Sequence, residues 1–419
     1  MNYKEIQQCR ICKNRNLVSL FDLGEQALTG VFPNRRHVPI TRGPLSLVKC
    51  MGKKNDDYCG LVQLKHSFDP YELYGDNYGY RSGLNKSMEY HLNEKVKTIV
   101  ARALLKPGDL IIDIGSNDGT LLKAYPRKHY TLVGIDPTIE KFKKYYPSYI
   151  HCIPDFFSSR AVKREFKNKK AKVVTSIAML YDLADPLDFM EQVREVLADD
   201  GIWVFQQSYL PSMLETTGYD VVCHEHLEYY ALRQIAWMTK RAGLKLLDVR
   251  LSSINGGSFA VTVAKVKAPF VQDAVAITVL EQLEKEAALD TLAPYQRFKE
   301  RVQRNRQELR HFVKKAQSKG EEILGYGAST KGNVILQYCG FTAKDIPFIA
   351  EVNEDKFGCF TPGTWIPIIS EQEARKMRPD YFMVLPWHFK DSIIKKEKEF
   401  LKKGGKLFFP LPMPEVIGL

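Results

Sequence analysis

The chain has 419 residues, 44% hydrophobic and 26% charged, which suits two or three domains with cores of their own and excludes a disordered polypeptide. No run reaches the ~18 apolar residues of a membrane span, and the start Met1-Asn2-Tyr3-Lys4-Glu5 lacks a signal-peptide core, so a soluble, cytoplasmic protein is expected. The formal net charge of +12 attracts anions, whether nucleic acid, an anionic membrane surface or phosphorylated small molecules.

Residues up to about Asp69 form a loop-rich module with short apolar pieces, Leu17–Leu23, Leu45–Val48 and Gly60–Leu64. Four of the eight cysteines fall here, as Cys9-x2-Cys12 and Cys50-x8-Cys59. Two such pairs brought together make a tetrahedron of thiolates for zinc. The alternative is free cysteines in a small core. Zinc is favoured because so short and loop-rich a segment needs a staple. Four ligands close the coordination sphere, so the metal would be structural. Met51–Tyr58 is a polar insertion expected to loop outward.

Asp69–Lys95 is rich in tyrosine: Tyr71, Tyr74, Tyr78, Tyr80 and Tyr90. Gly75, Gly79 and Gly83 make its first half a loop, either a lid over a site or a set of packing anchors. Asn85–Val100 has helical spacing, with Met88, Leu92, Val96 and Ile99 on one face.

The apolar run Leu110–Ile112 then enters Asp113-Ile-Gly-Ser-Asn-Asp-Gly-Thr120. This pattern predicts a buried parallel strand, a tight glycine turn and a helix. The next apolar run, Tyr130–Ile135, ends in Asp136, whose carboxylate can accept both hydroxyls of a ribose. The third glycine of a dinucleotide fingerprint is missing, and Asn117-Asp118 fills the turn. Amide and carboxylate groups suit a cofactor with cationic, amino-acid parts better than a pyrophosphate, which prefers bare N–H groups. S-adenosylmethionine is such a cofactor. The expected cofactor-binding set is Asp113, Gly115, Asn117, Asp118, Gly119 and Asp136, with Asp155 and Phe156.

Strands and helices alternate from there: strand Lys172–Ile177, helix Pro186–Leu197, turn Asp199-Asp200-Gly201, strand Ile202–Gln206 and helix Tyr230–Ala242. Strands Leu244–Leu251 and Phe259–Val266, joined by Asn255-Gly256-Gly257, form a hairpin. A parallel sheet closed by an antiparallel final strand is the class I methyltransferase arrangement. Ala268–Pro294 and Tyr295–Gln317 are expected as long amphipathic linking helices. A second α/β unit follows, with strands Glu322–Tyr326, Pro347–Val352, Tyr381–Leu385 and Lys406–Leu411 and helices Lys331–Gln337 and Asp391–Lys402. Its glycine turn Gly325-Tyr-Gly327-Ala-Ser-Thr-Lys331-Gly332 lacks Walker spacing. It is either a plain turn or a phosphate cradle using Lys331. The basic stretches Lys299–Lys319 and Lys390–Lys406 are expected to be solvated helix faces before nucleic-acid patches.

Cys223-His224-Glu225-His226-Leu227-Glu228-Tyr229-Tyr230 falls at the carboxyl edge of the first sheet, where ligands bind. It lacks the His-Glu-x-x-His spacing of a zinc protease. A histidine held by a neighbouring carboxylate is a general base near neutral pH. The alternative is a polar helix start with satisfied histidines. Tyr181-Asp182 lies at the same edge.

The chain resembles the bacterial nucleotide-sugar C-methyltransferases, which methylate a ring carbon of a 4-keto-6-deoxyhexose in deoxysugar biosynthesis. The resemblance rests on the cysteine module with Phe21-Asp-Leu-Gly24 and Cys59-Gly-Leu-Val-Gln63, on Tyr78-Gly-Tyr80-Arg-Ser82, on Asp113–Gly119 and on Glu225-His226. It continues through Gly325-Tyr-Gly327-Ala328 and Thr361-Pro-Gly363-x-x-Ile366-Pro367. It implies a zinc module at 1–69, a cofactor-binding core at 70–267, linking helices at 268–319 and a Rossmann-like sugar-nucleotide domain at 320–419. In this frame Cys9, Cys12, Cys50 and Cys59 hold Zn2+, His226 is the base, Glu225 orients it, and Tyr80 hydrogen-bonds the enolate or the sugar. Two departures stand out: the widened second cysteine pair, and Tyr181-Asp182 where some relatives carry a cleft histidine. The expected partner is a thymidine- or guanosine-diphosphate sugar, with no nucleic acid, no membrane, and a monomer or weak homo-oligomer. The competing expectation, from the positive charge, is a zinc-containing RNA methyltransferase or RNA-binding protein.

Overall fold

The computed structural model describes residues 3–53, 56–74, 80–126 and 129–418. Gly75, Tyr78 and Gly79 of the tyrosine loop lie outside the described residues.

The N-terminal apolar pieces are strands rather than loops. Leu17–Ala27, Arg42–Cys50 and Val62–Leu64 pair antiparallel in one sheet, and Tyr3–Glu5 pairs with His66–Phe68 beside it. A fourth strand joins that sheet from far away: Glu228–Tyr229 pairs with Gln63 and Val62. The expected histidine loop therefore ends as an edge strand of the cysteine module. A two-residue strand carries no periodicity that local sequence could show. Residues 54 and 55 of the Met51–Tyr58 insertion lie outside the described residues. Asp57 accepts from the Trp237 indole at 3.0 Å and pairs with Arg241, which docks it on the helix Leu232–Arg241.

The central sheet has seven strands in the order Leu244–Ser252, Ser258–Lys265, Leu197–Ser208, Ala171–Ile177, Leu110–Ile114, Thr131–Ile135 and Ile150–Ile153. All are parallel except Ser258–Lys265, which runs antiparallel to both neighbours. This is the class I methyltransferase order. Leu110–Ile114 is buried at every position, as an interior parallel strand flanked by helices must be. The chain crosses over on either side of it, so a crevice opens at its carboxyl end. The strand Ile150–Ile153 and the helix Ser159–Phe166, whose N-terminus Ser158 caps, complete the unit. Asp199-Asp200-Gly201 is no turn, because Leu197–Ser208 runs through it with a register irregularity. A Cβ on Gly201 would sit 2.8 Å from the Ala171 carbonyl oxygen, so this glycine serves close strand approach.

The linking helices are Ala274–Glu286 and Ala293–Ser318. Pro269 precedes the first, and the Asp273 side chain caps it through the Ala276 amide. Tyr295, Phe298, Val302, Leu309 and Val313 form the buried stripe of the second, and its lysines and arginines are largely exposed. The last sheet orders Ile368–Ser370, Ile349–Glu351, Ile323–Tyr326, Tyr381–Val384, Lys406–Phe409 and Glu415–Ile417, parallel except at the final strand. The strand Ile368–Ser370 and helix Glu371–Met377 fall outside the expected elements, although Ser370 and Glu373 form a capping box legible as Ser-x-x-Glu. The expected helix Asp391–Lys402 is split at Glu397, whose buried carboxylate accepts from Tyr326 and Arg375.

Two large cores join these units. Phe21, Leu45 and Leu64 share one with Phe298, Leu336 and Phe382. Cys9, Ile11, Cys50 and Cys59 share the other with Ile112 and Val174 of the central sheet and with Leu232.

Candidate functional site

At the carboxyl end of Leu110–Ile114 lies a cavity of about 260 Å3. Asp113, Gly115, Asn117, Asp136, Asp155, Phe156 and Tyr80 all line it. The turn is built from its own polar groups. The Asn117 amide donates to Asp136 at 2.9 Å, and Thr138 donates to the other Asp136 oxygen from both its amide (2.7 Å) and its hydroxyl (2.6 Å). Asp113 accepts from the Thr175 hydroxyl at 2.5 Å. Burial, reinforced by the Asp136 charge and opposed by that hydroxyl, pushes its carboxyl up to about 7.

Two residues of the expected cofactor set point elsewhere. Asp118 accepts from Thr120 and from the Gly83 amide at 3.0 Å, tying the tyrosine segment to the turn. Gly119, at φ +72°, lies against the Tyr146 ring, whose hydroxyl bonds Ser116 (2.8 Å) and the Asn117 carbonyl (2.9 Å). Both shape the turn without lining the cavity. The Ser82 amide completes this latch on the Asn117 side chain, 2.9 Å, and Asn117 in turn donates to the Tyr80 carbonyl.

The apolar spacing predicts only the end of a strand at Gln206. Gln206 in fact spans His91 (2.8 Å) and Ser258 (2.7 Å) at the cavity wall. Gln207 beside it is 2% exposed, and neither polar atom of its side chain has a partner among the described residues. Two glutamines closing an otherwise apolar strand at the carboxyl edge were the available signal.

The histidine cluster divides into separate environments. His224 is buried against Phe68, with Nε2 at 3.3 Å from the Gly43 carbonyl. His226 is partly exposed and stacks edge-on against Tyr181, ring centroids 4.4 Å apart. Its expected carboxylate partner is not Glu225. His226 Nδ1 donates to the Val221 carbonyl at 2.8 Å, which leaves the lone pair on Nε2. Burial and the positive charge of Lys331 hold the imidazole down at about 3. Glu225 turns the other way, accepting from the Thr29 hydroxyl at 3.3 Å and lying against Gly30, where a Cβ would require it to shift. Burial pushes its carboxyl above the usual range. Neither His226 nor Glu225 lines the cofactor cavity. Tyr181 does, and it connects His226 to it.

Cys9, Cys12, Cys50 and Cys59 converge with all four Sγ atoms within 4.8 Å of one another. The Cys9–Cys59 and Cys12–Cys50 separations are 3.4 and 3.5 Å, near the ~3.8 Å edge of a tetrahedron with ~2.3 Å zinc–sulfur bonds. The Asn14 amide donates to Cys50 at 3.3 Å, the kind of outer contact that orients a metal ligand.

A family model for the C-methyltransferase C-terminal domain matches residues 253–412, one for a methyltransferase domain matches 88–249, and one for a zinc binding domain matches 9–74. The curated protein C-methyltransferase NovU of Streptomyces niveus is 30% identical over 419 residues, covering 99% of this chain and 97% of that one. The chain belongs to the C-methyltransferase family. Among solved structures it is similar to the CcbJ methyltransferase of Streptomyces caelestis, 14% identical with a TM-score of 0.33 over 41% of this chain and 89% of that one. An O-methyltransferase family protein from Burkholderia thailandensis is 18% identical, TM-score 0.33, over 43% of this chain and 56% of that one.

The cofactor of this C-methyltransferase is S-adenosylmethionine, and the cavity fits it. Asp113, Asp136, Asp155 and Asp182 line the wall with no lysine or arginine among the described lining residues, the donor set for a sulfonium and an ammonium. The orphan Gln207 amide marks a ligand-facing polar group. The cysteine cluster is likewise a closed, four-thiolate zinc site, structural in kind.

Proposed function

We propose that this C-methyltransferase transfers a methyl group to C-3 of a nucleotide-linked 4-keto-6-deoxyhexose. The observation that carries this reading is a pair of cavities of opposite charge sharing one wall. Tyr80 and Ser82 line the acidic cavity, while Arg81 between them lines a second one of about 480 Å3. Cations from three separate parts of the chain, Arg81, Lys141 and Lys356, meet there with Phe32, Phe142 and Phe357. Arginine and lysine suit a diphosphate, and aromatic faces suit a nucleobase. That composition favours a thymidine- or guanosine-diphosphate sugar over RNA, whose backbone calls for an extended basic surface. The glycine turn at Gly325–Ala328 is not the phosphate cradle in this reading. Its Ala328 amide is taken by Glu351 at 2.7 Å, and its carbonyl by Lys356 at 2.8 Å.

When bound, S-adenosylmethionine supplies an electrophilic methyl group. The chain's task is to make the ring carbon a nucleophile. His226 Nε2 takes the proton next to the ketone, while the Val221 carbonyl holds the ring in the required tautomer. Tyr80 would hydrogen-bond the substrate, Asp136 would hold the ribose of the cofactor, and Asp113 would face its cationic end. Phe156 and Asp155 line the remainder of that cavity. Glu225 serves through Thr29 by fixing the loop that carries His226. Cys9, Cys12, Cys50 and Cys59 hold the module's zinc.

The test uses thymidine- and guanosine-diphosphate-linked 4-keto-6-deoxyglucose. His226→Asn should reduce turnover by roughly 10² or more with cofactor binding intact, and His224→Asn should do much less. In deuterated water with S-adenosylhomocysteine, the wild type should exchange the C-3 proton and His226→Asn should not. Exchange at the wild-type rate in the variant rules out His226 as the base. Methylation of RNA, with no exchange in either protein, defeats the sugar reading.

A further inference from the structure

Lys331 lines neither cavity, yet it is the cation closest in effect to the proposed base. It stands in the first turn of the helix Thr330–Cys339, where the helix dipole disfavours a positive charge. Its ammonium donates to the Asn255 carbonyl at 2.9 Å. That carbonyl is neutral, and among the described residues no carboxylate forms an ion pair with the ammonium, although the Asp220 charge favours it. Asp220 accepts from the Trp387 indole through Oδ2 at 2.8 Å, while its buried Oδ1 has no hydrogen-bond partner among the described residues. A charge that forms no ion pair among the described residues is available to an anion that arrives later.

The position of Asn255 says where. It is at the tip of the central sheet's terminal hairpin and lines the cofactor cavity, as Tyr181 does. His226 approaches that cavity through Tyr181, and Lys331 approaches it through Asn255. Base and cation thus each stand one residue behind the wall of the cofactor cavity. Trp387 and His388 close the arrangement from the C-terminal unit, with Trp387 3.2 Å from a Cβ built on Gly256.

We propose that Lys331 is the positive charge that stabilises the enolate oxygen formed when His226 removes the ring proton. This rests on the enolate reading above. The C–H electron pair becomes the new C=C bond, the carbonyl π pair moves to oxygen, and the proton goes to His226 Nε2. The oxyanion then faces the Lys331 ammonium, which neither gains nor loses a proton. As the carbon takes the methyl group, the carbonyl re-forms and the C–S bonding pair remains on sulfur. The surroundings agree with a site set for negative charge. Burial together with the Lys331 charge depresses both His226 and His388, while Asp220 and Cys223 are the acids that Lys331 faces.

The experiment compares Lys331→Met and Lys331→Arg with the wild type, using thymidine-diphosphate-linked 4-keto-6-deoxyglucose, or the guanosine form if that is the one turned over. C-3 proton exchange is followed in deuterated water with S-adenosylhomocysteine, alongside the pH profile of kcat/KM and calorimetry of cofactor binding. Lys331→Met should slow exchange roughly 10²-fold. It should also move the acidic limb upward by roughly one pH unit, because removing a cation raises the pKa of the neighbouring imidazole. Lys331→Arg should keep exchange within tenfold of the wild type and leave the limb in place. An unmoved limb with wild-type exchange in Lys331→Met overturns the proposal. So does an equal loss in Lys331→Arg when calorimetry shows the cofactor still bound, since charge would then not be the working property. Exchange absent from the wild type itself defeats the enolate reading, and this inference with it.

Discussion

Asp113 is the most informative single residue of the cofactor cavity. Its carboxyl is pushed up to about 7 by burial with only one hydroxyl donor to offset it. A cation placed beside it favours the ionised form and lowers that pKa. Binding of the positively charged cofactor near pH 6 should therefore expel a proton from Asp113. Cofactor affinity should rise as pH increases through 7 and level off above it. Calorimetry in buffers of different ionisation enthalpy measures the proton count directly. Asp113→Asn should remove the proton release and flatten the pH dependence, and a variant that still releases the proton would move the titration to another group. The same shift bears on the cofactor-free protein. A carboxyl raised from 3.8 to about 7 in the fold stabilises it fully below pH 3.8 and loses that contribution as pH rises to 7. Without cofactor, Asp113→Asn should accordingly gain stability relative to the wild type at pH 8.

At the level of the element, the strand–turn–helix at Leu110–Lys123 owes its shape to side chains that never reach the ligand. Gly119 has φ +72° and would place a Cβ 2.8 Å from Tyr146 Cε1. The ring cannot step back freely because its hydroxyl is held by Ser116 and the Asn117 carbonyl. Gly119→Ala should cost about 2–3 kcal/mol, from left-handed strain plus the displaced ring, and should weaken cofactor binding by misplacing Asn117. Gly404, also at positive φ (+89°) but with nothing within 4 Å of its would-be Cβ, is the control, with an expected cost of about 1 kcal/mol. Urea denaturation of the two variants separates the terms. Equal destabilisation would show that the Tyr146 contact is of no consequence.

Across the whole molecule, the zinc module is bound to the proposed base by backbone. The Leu64 amide donates to the Leu227 carbonyl at 2.9 Å, and Glu228–Tyr229 extends the module's sheet directly after His226. Arg10, inside the Cys9–Cys12 knuckle, spans Gln63, the Leu64 and His66 carbonyls and Ser67. Its guanidinium lies 3.9 Å from the buried Glu228. Stripping zinc with a chelator should lower the melting temperature and abolish methyl transfer, with recovery when zinc returns. Metal analysis and activity on one sample decide this. A zinc-free protein with full activity would sink the idea of a mechanical link.

Local sequence determined the parts whose signals lie within a few neighbours. The buried strand and glycine turn around Asp113, the acid at Asp136, the paired cysteines and the terminal hairpin all carry their own spacing, because period and turn chemistry are short-range properties. Within that turn, the pattern alone could not say which polar groups face outward. Asp118 and Gly119 have the right chemistry for a cofactor and spend it on Gly83, Thr120 and Tyr146. Only the tertiary structure decided that Glu225 binds Thr29 while a backbone carbonyl holds His226, and that Lys331 reaches Asn255 across 76 positions. Those contacts join segments distant in sequence, and a side chain's partner there is set by how the sheets pack rather than by any spacing along the chain.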